Sequence, residues 1–460
     1  MSIQLGLERI KRLQSLLPLY TRPTIHIAGT NGKGSVAAIV EAIFRKCGYT
    51  TGRFTSPHLL TSRDSIVLEG EAVSLNVFQR ASDRTIKVNN SNNVNASPFE
   101  LLTATALLVF EEAQVDIVVL EVGVGGRMDA TNIVPSKQLL VCAMTRVDLD
   151  HQELLGRSVT AISEEKAGIA KEGITMIVAL QKHEQVYGSI ERVVRMLGGY
   201  TKKAREVAKR SWDEALDGSL PLPFSIRPFQ PPPPQPIRFT SSSGEVLTLF
   251  PLGGDHQLQN LSLALELVDH VRDLGLPWGR ITNLGVATGI AAVEWPGRLD
   301  WVPPNVSFGE PALQISFPLL VDGAHNMAGI ISLVNYIDSL ALPSPRTFII
   351  SLSRSPLKDF REMMKRLVRR GDRVALVPFS SVVGMEWVKP LTNDNMKDLV
   401  QDLTDEMNVF QGSTLLECLE WCECQRSDIV VATGSLYLVA DLYKLRATSV
   451  LPTFGYVSIL

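Results

Sequence analysis

Apolar runs and helix-like apolar stripes alternate along the first part of the chain. Residues 24–29 form a short run rich in β-branched residues, which predicts a strand, and 35–47 carries apolar residues at helical spacing. Gly48 follows that stripe and is typical of a helix C-terminus. The continuous apolar runs at 115–123 and 138–147 are typical of strands buried on both faces of a parallel sheet. The alternation therefore predicts a doubly wound α/β sheet.

A second alternation of strands and helices begins near residue 318 and predicts a further α/β block. Between the blocks, 217–245 is rich in proline and serine, which favours a surface loop or spacer over the interior of a sheet or helix. The alternative is an extended polyproline segment that a partner recognises. A cluster of proline and glycine at 305–316 indicates a domain boundary. We therefore predict one domain at 1–308, which includes the proline-rich loop, and a second at 309–460.

Composition and charge exclude several classes of protein. The 460 residues exceed what one hydrophobic core usually serves, which agrees with two domains. The net charge of −3 argues against the strongly basic surface of a nucleic-acid-binding protein, so an anionic ligand needs a local site. Five cysteines, an odd number, do not indicate a disulfide framework. Cys418, Cys422 and Cys424 lie on an apolar-periodic stretch, which favours core or surface thiols over zinc ligands.

The sequence carries no clear membrane or secretion signal. No apolar run reaches the length that spans a bilayer, and the N-terminus lacks the apolar block of a secretory signal. Its basic residues would suit a mitochondrial presequence, but a continuous apolar stripe favours a first helix of the fold. We expect a cytoplasmic monomer without nucleic-acid or membrane partners, with a mitochondrial location as the alternative.

The strongest chemical signal is the glycine-rich stretch AGTNGKGS at 28–35, between a predicted strand and a predicted helix. Glycines let backbone amides face an anion, the helix start adds a favourable dipole, and Lys33 supplies a positive charge. The stretch differs from the common P-loop because Gly34 separates Lys33 from Ser35. A plain glycine turn is the alternative. The predicted phosphate-binding residues are Thr30, Asn31, Gly32, Lys33, Gly34 and Ser35.

Eight further motifs accompany this loop. They are FTSPHL (54–59), EVGVGGRMDATN (121–132), DHQELLG (150–156), EEKAGI (164–169), HQLQN (256–260), EWPGR (294–298), DGAHN (322–326) and TGSLYLV (433–439). In kind and order they resemble the Mur ligase superfamily, specifically its folylpolyglutamate synthase and dihydrofolate synthase branch, over nearly the whole chain. The resemblance implies a Mur-ligase-like α/β fold: a P-loop ATPase-type domain with a doubly wound parallel sheet, followed by a smaller Rossmann-like domain.

Three polar residues each follow a predicted strand: Ser56, Glu121 and His151. In a parallel sheet they would share the carboxyl edge with the phosphate loop, where α/β sheets bind ligands. A hydroxyl, a carboxylate and an imidazole beside triphosphate oxygens make a magnesium site, although imidazole is an unusual ligand for so hard a cation. Taken singly they could be a turn residue, a partner for Arg127 and a loop residue. The resemblance implies that all three are metal ligands.

Lys166 is a residue whose role only the resemblance suggests. By sequence it is an ordinary helical lysine that could pair with Glu164 or with a neighbouring turn. The matching lysine of the family is commonly carbamylated, which places a carboxylate-like group near a second magnesium ion. The implied cofactors are ATP and two magnesium ions, and a potassium ion is an additional candidate. The implied catalytic residues are Lys33, Lys166 and His325.

The resemblance assigns five further positions to substrates. Asn260 matches a residue near the adenine, and Arg298 and Asp322 match residues that hold ATP across the cleft between the domains. His325 and Ser435 match residues near the incoming amino acid, which makes them candidate glutamate-binding residues.

The implied activity is that of an ATP-dependent carbon–nitrogen ligase acting on small molecules: ATP, L-glutamate and either dihydropteroate or a folate. GGRMDATN, Asn31 and the opening IQLGLERI resemble dihydrofolate synthases more than polyglutamate synthases. Polyglutamylation of folates is the alternative or a second activity. A non-catalytic nucleotide-binding regulator would be expected to lack Lys33, Glu121 or Lys166, and a P-loop kinase would lack Gly34 and the DGAHN block.

Overall fold

The computed structural model describes residues 6–275, 277–355, 358–382 and 388–448. Its chain forms two compact units. The first contains Met1–Leu220, Pro234–Pro251 and His256–Glu294, and the second contains Pro221–Pro233, Leu252–Asp255 and Trp295–Leu460.

Both units alternate helices with strands. The helices are α1 Glu8–Ser15, α2 Lys33–Lys46, α3 Leu75–Ser91, α4 Pro98–Glu112, α5 Gln152–Leu155, α6 Val159–Ala167, α7 Glu184–Met196, α8 Glu214–Asp217, α9 Asp255–Asp273, α10 Asn283–Ala291, α11 Met327–Ser339, α12 Phe360–Leu367, α13 Asn393–Val400, α14 Leu415–Cys424 and α15 Leu436–Thr448. The strands are β1 Thr24–Ala28, β2 Thr51–Phe54, β3 Ile66–Leu68, β4 Glu71–Ala72, β5 Ile117–Glu121, β6 Leu139–Met144, β7 Thr175–Val178, β8 Tyr200–Lys203, β9 Ala208–Lys209, β10 Gln235–Ser241, β11 Gly244–Phe250, β12 Asp300–Val302, β13 Ser307–Phe308, β14 Leu313–Gln314, β15 Leu319–Val321, β16 Thr347–Ile350, β17 Arg373–Leu376, β18 Val409–Gln411 and β19 Val430–Thr433.

The first unit is built on an eight-stranded sheet with the order β4-β3-β2-β5-β1-β6-β7-β8. The six neighbouring strands β2, β5, β1, β6, β7 and β8 are all parallel. Strands β3 and β4 extend this sheet at the β2 edge and pair antiparallel. The central strands β1 and β5 are buried at every position, as their continuous apolar runs predict. Because β2, β5, β1 and β6 are neighbours, the segments that follow them lie at one edge of the sheet.

Local signals in the sequence explain where the helices of this unit begin. Ser97 caps α4 by accepting from the N–H of Glu100, whose side chain accepts in return from the N–H of Ser97, and Pro98 occupies the first turn. The predicted N-terminal helix is α1, which buries Ile10 and Leu13. The α/β expectation for this part of the chain is confirmed.

The prediction of an irregular loop at 217–245 is wrong in its second part. Strands β10 and β11 pair as an antiparallel hairpin, with Gln235 opposite Phe250 and Ser241 opposite Gly244. Burial alternates along β10, where Ile237 and Phe239 face inward. This period of two was present in the sequence, but the preceding prolines obscured it.

The rest of the proline-rich segment belongs to the second unit and is a closed loop. Ser225 and Gln230 exchange backbone hydrogen bonds of 3.1 and 2.8 Å. Phe224 and Phe229 pack on the indole of Trp301, with ring centroids 5.4 and 5.8 Å away. The segment is therefore anchored by aromatic contacts, in contrast to a free spacer.

The second unit has a six-stranded sheet with the order β12-β15-β19-β16-β17-β18. All neighbours are parallel except β12, which runs antiparallel to β15 with Asp300 opposite Val321. Because β12 belongs to this sheet, residues 295–308 fold with the second unit. This division differs from the predicted boundary between 308 and 309.

Two expectations about the chain as a whole can be compared with the described residues. Across them, no helix combines the length and apolar character that a bilayer-spanning helix requires. Cys418 and Cys422 are buried and Cys424 is exposed. These cysteines are thus core and surface thiols.

The aromatic anchors of the closed loop can be tested by proteolysis. Phe224→Ala or Phe229→Ala should raise the rate at which a protease of broad specificity, such as proteinase K, cleaves within 221–233 by about fivefold, because each removes a ring contact worth about 1 kcal/mol. Leu220→Ala and Leu222→Ala, which shorten exposed apolar side chains beside and within the segment, are matched controls and should leave the rate unchanged. Equal rates for both pairs would show that the rings do not hold the loop.

Candidate active site

The glycine-rich loop joins β1 to α2 and passes where its neighbours leave no room for a side chain. Gly29 has φ 146°, and a Cβ there would lie 1.8 Å from Thr145 Oγ1. Gly32 has φ 91°, and a Cβ there would lie 2.1 Å from Asn260 Oδ1. Real Cβ atoms do not approach other atoms so closely. Glycine is therefore required at both positions.

Backbone and hydroxyl hydrogen bonds tie this loop to the segment that follows β6. The N–H groups of Thr30 and Asn31 donate to Arg146 O at 3.0 and 3.2 Å. Thr30 Oγ1 donates to Asp148 O and accepts from Asp148 N, both at 3.1 Å. The segment that carries His151 is thus fixed relative to the loop. Sequence reasoning had not identified Asp148.

Lys33, Glu121 and Ser56 meet at the carboxyl ends of neighbouring strands. Lys33 Nζ donates to Thr30 O at 3.3 Å and lies 3.8 Å from Glu121 Oε1. Glu121 Oε2 accepts from the N–H of Ser56 at 3.2 Å. The side chains of Lys33 and Glu121 are 15% and 5% exposed, so this ion pair is shielded from water. The order β2-β5-β1 brings the three residues together.

The donor groups at this edge fit a magnesium ion. A carboxylate and a hydroxyl are hard oxygen donors, and Mg²⁺ usually takes one or two carboxylates together with phosphate oxygens and waters. Ser56 and Glu121 bring these two groups to the same edge of the sheet, where the backbone N–H of Ser56 contacts the Glu121 carboxylate. His151 lies at the exposed N-cap of α5, with its N–H donating to Asp150 Oδ1 at 2.9 Å. The role of all three as metal ligands remains a prediction.

Lys166 reaches the loop from α6. Its side chain is buried, and Nζ donates to Gly29 O at 2.8 Å. Glu164, the partner considered from the sequence, instead forms an ion pair with Arg192. Burial, and next the positive charge of Lys33, lowers the pKa of Lys166 to about 7, although nearby carboxylates act in the opposite direction. The neutral form of the Lys166 amine is therefore much more populated at pH 7 than that of an ordinary lysine.

Two amides of α9 contact the loop from the other side. Asn260 Nδ2 donates to Gln257 Oε1 at 2.9 Å, and Gln257 Nε2 donates to Ser35 Oγ at 3.3 Å. Sequence reasoning missed Gln257, although its spacing of three residues from Asn260 places both on one helix face. Asn260 lies against Gly32, and its place beside an adenine remains a prediction.

Arg298 and Asp322 lie together in the second unit. Asp322 follows β15, is buried, and accepts from the N–H groups of Leu299 and Ala324, both at 2.9 Å. Burial raises the pKa of Asp322, while Arg298 and these two N–H groups lower it. Their part in holding ATP remains a prediction.

His325 and Ser435 follow β15 and β19, which are paired parallel strands. His325 Nδ1 is hydrogen-bonded to Gly323 O at 2.9 Å, and its own carbonyl accepts from Lys358 Nζ at 3.0 Å. Ser435 is buried and accepts from the N–H of Tyr437 at 3.1 Å. The two residues thus share the carboxyl edge of the second sheet, as their assignment to one substrate requires.

Comparisons with known proteins cover both units. The family described as "Dihydrofolate synthetase, C-terminal domain" matches residues 305–446. The dihydrofolate synthetase of Saccharomyces cerevisiae is 32% identical over 97% of this chain and 99% of that protein. The probable dihydrofolate synthetase of Schizosaccharomyces pombe is also 32% identical, over 96% of this chain and 99% of that protein. This chain belongs to the dihydrofolate synthase and folylpolyglutamate synthase family.

A solved structure of this family has the same fold. The folylpolyglutamate synthase of Mycobacterium tuberculosis, complexed with ADP and AMPPCP, superimposes with a TM-score of 0.78 and is 25% identical. The match covers 96% of this chain and 95% of that chain. The expected Mur-ligase-like α/β architecture is therefore confirmed.

The close approach of α9 to the family's glycine-rich loop predicts an unequal response to two alanine substitutions. Gly48 also has a positive φ of 80°, but a Cβ there would meet its nearest neighbour, Arg280 Nη1, only at 4.0 Å. Both Gly32→Ala and Gly48→Ala force an alanine into a strained backbone conformation, which costs about 1 kcal/mol. Gly32→Ala adds a collision with Asn260 of about 2 kcal/mol. The midpoint of thermal unfolding should therefore fall further in Gly32→Ala than in Gly48→Ala.

A further substitution, Asn260→Gly, tests whether contact with Asn260 causes the difference in thermal midpoint between Gly32→Ala and Gly48→Ala. In this background the opposing side chain is absent, so Gly32→Ala should cost no more than Gly48→Ala. An unchanged cost of Gly32→Ala would contradict the steric explanation.

Proposed function

We propose that this chain is an ATP-dependent ligase that joins L-glutamate to dihydropteroate through an acyl phosphate and so forms dihydrofolate. The observation that carries the proposal is the arrangement of Lys33, Glu121 and Lys166 around one glycine-rich loop. Such a set of charged groups serves phosphoryl transfer, which depends on positioning and charge stabilisation. The similarity to two fungal dihydrofolate synthetases over nearly the whole chain supports dihydropteroate as acceptor.

The second candidate is extension of the glutamate tail of folates, alone or as a further activity. Both reactions activate a carboxylate with ATP and join it to the amine of glutamate, so the same residues serve either. The similarity to a folylpolyglutamate synthase in fold supports this candidate. The motif GGRMDATN at 125–132 favours the first.

In the first half-reaction the carboxylate of the pteridine substrate attacks the γ-phosphorus of ATP, giving an acyl phosphate and ADP. The loop amides and the ammonium group of Lys33 hold the phosphates and offset the charge that builds up on the transferring group. Arg298 and Asp322 would supply further contacts to ATP. Ser56, Glu121 and His151 would hold magnesium, which supplies further positive charge to the phosphate oxygens.

In the second half-reaction the amine of glutamate attacks the activated carbonyl, and phosphate leaves. His325 and Ser435 bind and orient the amino acid. Because a carbonyl oxygen only accepts, the bond to Gly323 O assigns a proton to His325 Nδ1, which leaves Nε2 as the acceptor of the neutral ring. His325 Nε2 would take the proton that the glutamate amine releases.

We further propose that Lys166 is carbamylated. Carbamate formation requires a neutral amine, and the pKa of about 7 supplies one at neutral pH, whereas an ordinary lysine is almost fully protonated. An uncharged or anionic group at this position also removes the repulsion with Lys33. The proposal includes two magnesium ions, a potassium ion as an additional cofactor, and a monomer that acts in the cytoplasm or the mitochondrion.

The decisive experiment offers the purified protein ATP, magnesium, L-glutamate and either dihydropteroate or tetrahydrofolate, with product masses measured by mass spectrometry. We expect dihydrofolate from dihydropteroate. Lys33→Ala should reduce turnover at least about a thousandfold because the phosphates lose a direct charge. The matched control Lys46→Ala changes an exposed lysine at the other end of α2 and should retain full activity.

Glutamate addition to tetrahydrofolate alone would favour the second candidate. Hydrolysis of ATP without product from either acceptor would contradict ligase activity. A tenth or more of normal turnover in Lys33→Ala would contradict the assignment of the phosphate loop.

The carbamate on Lys166 predicts a selective rescue. Lys166→Ala should lose most activity, and acetate or formate should restore part of it, whereas small amines should not. In the unaltered protein, removal of CO₂ should lower activity, more at pH 6 than at pH 8, because the Lys166 amine becomes protonated below its pKa of about 7. The control Lys182→Ala, at an exposed site, should respond to neither treatment. Rescue by amines but not by carboxylates would rule out the carbamate.

A further inference from the structure

Arg298 lies in a turn whose backbone is strained. Leu299 has φ 49°, in the left-handed region that costs a residue with a side chain about 1 kcal/mol. Gly297, on the other side of Arg298, has φ 74°. Leu299 is buried, and its N–H donates to Asp322 Oδ2 at 2.9 Å. Such a turn persists only where surrounding contacts hold it.

The contacts that hold this turn converge on Tyr443 of α15. The N–H of Gly297 donates to the Tyr443 hydroxyl at 3.1 Å, and that hydroxyl donates to the carboxylate of Asp300. One phenol therefore bridges the residue before Arg298 and the second residue after it. Burial and the neighbouring carboxylate of Asp300 raise the pKa of Tyr443, so the hydroxyl keeps its proton.

The same turn determines where the guanidinium lies. Arg298 Nη1 donates to Gly297 O at 3.0 Å, and this carbonyl also accepts from the N–H of Gly323 at 3.0 Å. A Cβ on Gly323 would lie 2.7 Å from Arg298 Nη1, so the guanidinium is seated directly on the backbone. A shift of Gly297 would therefore move the guanidinium with it.

We propose that Tyr443 is a positioning residue for Arg298, which it holds in the orientation that meets the nucleotide. The inference rests on the proposed function, in which Arg298 binds ATP. Tyr443 acts through the turn, so its loss raises the KM for ATP and leaves the KM for glutamate unchanged. A residue that only stabilised the second unit would affect the two substrates alike.

The test compares two hydrogen-bonded phenols of the second unit. Tyr443→Phe keeps the ring and removes the bridge, and the KM for ATP should rise about three- to tenfold, the effect of one lost hydrogen bond. Tyr336→Phe is the matched control, because its hydroxyl also takes part in a side-chain hydrogen bond and accepts from Trp301 Nε1 at 2.9 Å. That control should leave the KM for ATP within twofold of normal.

Two further variants keep the test decisive. Asp300→Ala removes the carboxylate that accepts from the Tyr443 hydroxyl, so it should raise the KM for ATP as Tyr443→Phe does. It serves as the test variant if Tyr443→Phe does not fold. In an Arg298→Ala background, Tyr443→Phe should raise the KM for ATP no further, because the residue through which it acts is absent.

The outcomes separate this inference from the proposed function. If Arg298→Ala leaves the KM for ATP unchanged, the nucleotide role of Arg298 is wrong and the inference falls with it. If Arg298→Ala raises that KM but Tyr443→Phe and Asp300→Ala do not, only the inference is wrong. Additive effects of Tyr443→Phe and Arg298→Ala would also overturn it.

Discussion

One steric constraint organises the first unit: the backbone of the glycine-rich loop passes where no side chain fits. Thr145 occupies the space beside Gly29, and Asn260 occupies the space beside Gly32. Lys166 closes the third side through its bond to Gly29 O. The shape of the loop is therefore imposed by packing from the sheet and from two helices. Its glycines are needed because its neighbours come so close, and the loop has little freedom to rearrange.

Burial disfavours the charged forms of two ionisable side chains, one beside this loop and one in the second unit. Lys166 is buried, and burial together with the positive charge of Lys33 disfavours the charged form of Lys166. In the second unit, burial likewise disfavours the charged form of Asp322. Sites that perform proton or phosphoryl transfer characteristically hold groups in such unfavourable surroundings. The amides of the glycine-rich loop and the ammonium group of Lys33 are the groups that favour an anionic ligand such as a polyphosphate there.

How far the sequence predicts this structure depends on the range of each signal. The glycine-rich loop and the meeting of Ser56 with Glu121 follow from motifs at the ends of parallel strands, a rule that needs no coordinates. The hairpin of β10 and β11 was missed because prolines masked a period of two. The helical spacing of Gln257 from Asn260 was a usable signal that sequence reasoning overlooked. The contact of Tyr443 with Asp300 joins residues far apart in the chain, so no local pattern could reveal it.

The closed loop at 221–233 also bears on the order in which the chain acquires its structure. Phe224 and Phe229 leave the ribosome well before Trp301, the residue that covers them. During synthesis the rings of Phe224 and Phe229 therefore cannot pack on Trp301 until the first unit has been synthesised. Domains made of one continuous segment fold as they emerge. The second unit is instead assembled from separate segments of the chain. A fragment that starts at residue 305 would lack both the loop and its indole, and would expose an incomplete sheet edge where β12 normally pairs.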